Sequence, residues 1–81
     1  MKGYQDLIVW QRAYELTLKV YPCTTSWPNH EQFGLTSQIH RACDSVIGNI
    51  AEGYSRGSKK EYLHHLRYAK GSLAEVETYI I

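Results

Sequence analysis

Apolar residues return every third or fourth position along three stretches of the chain, and no stretch shows the alternation of a strand. In the first, Leu7, Trp10, Tyr14, Leu18 and Tyr21 make one stripe of an amphipathic helix. Asp6 is placed to cap its start. Pro22, which lacks an N–H and clashes with the preceding turn, is placed to stop it. The spacing predicts a helix over about 6–21, followed by a short loop, CTTSWP, at 23–28.

The second stretch carries Leu35, Ile39, Ala42, Val46 and Ile50, flanked by Cys43. Pro28 and Asn29, with Gln32 three residues on, resemble a helix start with a capping box. Gly53 suits the left-handed residue that closes a helix. These signals predict a helix over about 30–52. Gly34 and Gly48 fall inside it, each at a cost of about 1 kcal/mol relative to alanine. That cost points to close approach of a neighbouring helix there.

The third stretch opens on Ser58 and Glu61, a capping box. Tyr62, Leu66, Ala69, Leu73, Val76 and Ile80 then follow at alternating steps of four and three, an a/d seam of bundle packing. A helix over 59–81 is predicted. Connections this short make consecutive helices antiparallel, so the fold class is all-α, an antiparallel up-down bundle in one domain over 1–81. The pattern is still running at the final YII, as if cut short. Three such seams read as three helices of four, the missing face supplied by a fourth helix or another subunit.

Composition narrows the class. An 81-residue chain buries a marginal core by itself, which also favours oligomerisation. Its 43% hydrophobic content, with seven tyrosines and two tryptophans, excludes a disordered tail. Cys23 and Cys43 form neither a disulfide framework nor a CxxC pair, and no signal-peptide pattern opens the chain. The expectation is a cytoplasmic protein with reduced thiols. No apolar run approaches the roughly 20 residues of a membrane span.

Chemical motifs mostly fail on inspection. GYSRGSKKEY, residues 53–62, invites comparison with a phosphate-binding loop. Its glycines are too close together, the following order is Ser-Lys, and a helix rather than a strand precedes it. Glu61 and His64 form one E-x-x-H, where di-iron bundles need two, and both lie away from the seam. His40 and Cys43 supply two ligands, too few for zinc, and the adjacent His64 and His65 diverge. No turn presents a serine nucleophile. Neither catalysis nor a metal or cofactor is expected.

Charge is more informative. Across 56–70, Arg56, Lys59, Lys60, Arg67 and Lys70 stand against Glu61 alone, a net +4 in a chain of nine basic and eight acidic residues. Lys60, His64 and Arg67 fall on a single helical stripe beside the seam, with Lys70 at its edge and Tyr54, Tyr62 and Tyr68 interleaved. Cations one turn apart suit a phosphate backbone and carry no base readout. Arg56, Lys59, Lys60, Arg67 and Lys70 are therefore the candidate nucleic-acid contacts; an ordinary solvated face has the same composition. A second stripe, Glu31, Gln38, Arg41, Ser45, Asn49 and Glu52, suits a polar network fixing register between helices or subunits. An exposed face would read the same.

Several longer stretches resemble a known family. LIVWQ (7–11), FGLTSQ (33–38), RA (41–42), NIAEG (49–53) and GSLAE (71–75) are similar to the four-helix bundle proteins encoded in intervening sequences of bacterial 23S ribosomal RNA genes. The resemblance covers nearly the whole chain. It implies an up-down four-helix bundle and homo-oligomers, with ring-shaped pentamers among relatives. The accessory protein of diversity-generating retroelements looks similar in fold and works with a reverse transcriptase and RNA through a basic surface. No member is recognised as an enzyme. Gln38, Arg41, Asn49, Glu52 and Gly53 fall on family-typical positions, which favours a structural role for the polar stripe. Members usually continue for another helix beyond the position of Thr78. Two readings stay open: an accessory protein that contacts RNA, and an oligomerisation or protein-interaction module.

Overall fold

The computed structural model describes residues 3–25, 27 and 34–80, the last by its backbone. A 3-10 turn at Tyr4–Asp6 leads into three helices: α1 (Ile8–Thr24), α2 (Leu35–Ser55) and α3 (Lys59–Ile80). No strand occurs among the described residues. Contacts between helices fix their directions. Val20 clusters with Ile39, while Ala13 clusters with Val46 and Ile50, so α1 and α2 are antiparallel. Gln38 bonds Glu75, and Asn49 bonds His65, so α2 and α3 are antiparallel too. The middle helix is α2; α1 and α3 each pack along it and make no comparable contact with one another.

The seam of α2, and that of α3 as far as Val76, behave as their spacing predicts; the Ile80 side chain lies outside the described residues. Ile39, Ala42, Cys43, Val46 and Ile50 are buried against Ala69 and Val76. At about 1.5–3 kcal/mol for each large aliphatic side chain removed from water, this strip dominates the cohesion of the fold. It forms two clusters end to end, Val20/Ile39/Ala42/Cys43/Val76 and Ala13/Val46/Ile50/Ala69.

On α1 the expected stripe is corrected. Tyr14 and Leu18 are 47% and 56% exposed, while Ala13, Val20 and Thr24 are buried. This helix carries bulky apolar groups on two flanks, Val9 and Leu16 on one, Trp10, Tyr14, Leu18 and Tyr21 on the other. The smaller residues between them form the ridge that meets α2. Counting large side chains therefore selected a flank.

The termini are corrected as well. Asp6 lies in the 3-10 turn, and Leu7, in extended backbone without a side-chain cap, precedes α1. Pro22 sits within the last turn instead of ending the helix before it. There the end carbonyls find hydroxyl partners: Thr24 Oγ1 donates to the Tyr21 carbonyl at 2.9 Å and Thr25 Oγ1 to that of Pro22 at 2.7 Å. These bonds hold the turn that proline weakens.

In α2 the helix continues past Glu52 to Ser55, with Gly53 buried inside it. The left-handed residue is Gly57, at φ 82°. The described part of α2 begins at Leu35; the Asn29/Gln32 start and Glu31 lie outside the described residues. Ser58 acts as foreseen, its Oγ accepting from the Glu61 N–H at 3.0 Å.

Candidate functional site

Capped by Ser58, α3 projects Lys60, His64 and Arg67 from its outer face. With Glu61 and Leu63 these residues line one depression of about 370 Å³. The five candidate cations do not stay together. Lys60 and Arg67 share this depression, and Lys59 is exposed just before it. Arg56 is engaged at the end of α2, where its guanidinium donates to the Glu52 carboxylate at 2.6 Å. That pairing holds the Glu52 carboxyl below its ordinary pKa and raises that of Arg56 further. Lys70 stands on the rim of a different surface, the groove between α1 and α3.

The three tyrosines also separate. Tyr54 and Tyr62 are half-buried and meet edge to face, with centroids 5.9 Å apart. Tyr68 is 58% exposed. Its ring stands perpendicular to that of His64, at 4.9 Å and 89°.

Part of the polar stripe of α2 becomes a ladder to α3. Gln38 Nε2 donates to Glu75 Oε1 at 3.0 Å, and Ser72 Oγ donates to Ser45 Oγ at 2.8 Å. Asn49 Nδ2 donates to the Ser45 carbonyl and hydroxyl, leaving its Oδ1 to accept from His65 Nδ1 at 3.0 Å. His65 Nε2 then faces Glu61 Oε2 at 4.0 Å. The other two residues of the set do not join. Arg41 is exposed and donates to Ser37 on its own helix, and Glu52 is taken by Arg56. The partners on α3, His65, Ser72 and Glu75, were not singled out by sequence; their alignment with α2 depends on the helix register, which spacing alone does not give.

Between α1 and α3 runs the groove of about 340 Å³, lined by Ala13, Leu16, Val46, Ile50, Leu66 and Leu73 among others. Its volume lies in the range of small-ligand pockets. Such pockets combine apolar walls with a few convergent polar groups, and here the polar groups, Arg12 and Lys70, belong to long side chains at the edges. Shape and chemistry resemble an unfilled helix position in a bundle.

The 23S rRNA-intervening sequence protein family model matches residues 5–81. The chain belongs to this family. No curated protein matches the chain, and no solved structure does. The match supports the ribosomal intervening-sequence part of the sequence resemblance and does not bear on the retroelement accessory protein. Of the family-typical positions, Gln38 and Asn49 stand in the α2–α3 ladder, and Gly53 lies under His65. No helix among the described residues is long and apolar enough to cross a membrane.

One further cluster in this family member lies at the α1–α2 contact and was visible in sequence only as a weak His40/Cys43 pair. Tyr21 stacks on His40 at 4.0 Å and donates its hydroxyl to Asp44 at 3.0 Å. Thr24 Oγ1, already donating to the Tyr21 carbonyl, accepts from His40 Nε2 at 2.7 Å. Burial and the bond to Asp44 push the Tyr21 phenol up, and burial pushes the Cys43 thiol up. Tyr21, Thr24, His40 and Asp44 each have a hydrogen-bond partner within the cluster, as expected of a structural joint between helices.

Proposed function

We propose that this protein is a non-catalytic helical-bundle protein that self-associates and holds nucleic acid, RNA foremost, on the outer face of α3. The observation that supports the nucleic-acid reading is the joint presence of Lys60, His64 and Arg67 around one depression, facing away from the core. Unlike Arg56, neither Lys60 nor Arg67 makes an ion pair among the described residues, so both charges are available to phosphates. Salt titration of RNA binding tests it. Log affinity falls linearly with log salt, and Arg67→Gln reduces the slope by about 1. A slope near zero contradicts the reading.

The groove between α1 and α3 favours a second reading, an oligomerisation module in which the bundle is completed by a helix of another copy. The two readings are compatible, since groove and basic face occupy different sides of α3. Val9 is 43% exposed on the groove wall, so Val9→Glu places a charge there without emptying the core. Light scattering should show an assembly for the wild type and a smaller species for the variant. A wild-type monomer contradicts this part of the proposal.

A further inference from the structure

The basic face of α3 is not uniform around the helix, and the asymmetry bears on the form of nucleic acid it takes. Lys60 and Arg67 are seven residues apart, about 10 Å along the axis, or roughly three nucleotides of a stacked strand at 3.4 Å each. Beside them, on one flank only, stands Tyr68. With Tyr54 and Tyr62 occupied by one another, it is the tyrosine of this region whose ring is largely open to solvent. The His64 ring, perpendicular to it, covers at most one of its faces. The same flank carries the carboxylates of Glu61 and Glu75, each about two turns from Tyr68 along the helix.

From this arrangement we infer that the ligand of the face is a single strand, its phosphates on Lys60 and Arg67 and one base stacked on Tyr68. The inference rests on the nucleic-acid reading proposed above. A duplex laid along the cations would bring its second phosphate strand over Glu61 and Glu75, where like charges repel. A single strand turns uncharged bases to that flank, and an aromatic ring beside a cationic track is the usual means of holding them. Leu63, 47% exposed in the same depression, adds apolar surface that a base can cover and a phosphate cannot use. The stacking carries no base identity, so binding along this face is tolerant of sequence.

The test is fluorescence anisotropy with labelled, unstructured 12-nucleotide RNA, the same strand annealed to its complement, and a DNA strand of the same sequence. Wild type, Tyr68→Phe and Tyr68→Ala are compared; Tyr68 is exposed, so neither variant threatens the fold. The single strand is expected to bind at least tenfold tighter than the duplex. Tyr68→Ala loses about 5- to 100-fold, the effect of one lost base–aromatic stack, and Tyr68→Phe keeps wild-type affinity. Equal affinity for RNA and DNA strands assigns binding to backbone and stacking, and preference for RNA adds a 2′-hydroxyl contact; both uphold the inference. Duplex binding as tight as single-strand binding, or a Tyr68→Ala variant indistinguishable from wild type, overturns it while leaving the nucleic-acid reading intact. Failure of every oligonucleotide to bind overturns both.

Discussion

Gly53 of α2 lies directly under His65 of α3: a Cβ added at Gly53 would stand 2.5 Å from the His65 Cβ and 3.4 Å from the Tyr62 Cα. Both obstacles are tied to the backbone of α3, so the helices themselves must separate to admit a methyl group. Gly53→Ala is therefore expected to destabilise. Overpacking costs about 1–3 kcal/mol, against about 1 kcal/mol returned by the better helix propensity of alanine. At Gly48 a Cβ meets nothing within 4 Å and the residue is exposed in mid-helix. Gly48→Ala should stabilise by about 0.5–1 kcal/mol. Thermal melts of the two variants check the pair; equal shifts would contradict the close approach.

The bond from His65 Nδ1 to Asn49 Oδ1 joins the same two helices one turn away. Asn49→Ala strands the His65 N–H in a half-buried site and should cost about 1–3 kcal/mol. His65→Ala strands the Asn49 carbonyl similarly. A double-mutant cycle by urea unfolding should return a coupling of about 0.5–3 kcal/mol. Additive single effects would show that the ladder does not act as a unit.

Helix existence, the α2 and α3 seams and the Ser58 cap were legible because each depends on residues within one or two turns of each other. What spacing did not reveal depended on partners distant in sequence. Gly53 looked like a helix end because glycine serves both as a terminator and as a point of close contact, and only the position of His65 decides between them. Gly34 and Gly48, read as contact points, face open space. The polar stripe was half right for the same reason: Gln38, Ser45 and Asn49 find partners on α3, whereas Arg41 and Glu52 lie one position too far round the helix. Within the basic set, the pairing of Arg56 with Glu52 was not anticipated because α2 runs past its predicted end at Glu52 to Ser55, which brings Arg56 one turn beyond Glu52.

Burial of Cys43 has a chemical consequence. The side chain is fully buried, and its thiol resists ionisation, first through burial and then through the nearby Asp44 carboxylate. Cys23 is exposed. A thiol reagent at neutral pH should modify Cys23 rapidly and Cys43 only as fast as the protein opens. The sign for stability follows. With the Cys43 and Tyr21 values both raised in the fold, their contribution is complete below the unfolded values, about 8.5 and 10, and is lost as pH climbs beyond them. Urea midpoints should therefore hold from pH 7 to 8 and fall by pH 10.5. Rapid labelling of both thiols in the folded protein would contradict the packing.

The most direct measurement of the functional account is RNA binding by the Lys60→Glu/Arg67→Glu double variant at constant salt, with Lys70→Glu as comparison. All three residues are exposed, so circular dichroism should be unchanged. Replacing two phosphate contacts with carboxylates should lower affinity by at least tenfold, and Lys70→Glu, on the groove rim, should lower it far less. Wild-type affinity in the double variant would show that the outer face of α3 is not where nucleic acid binds.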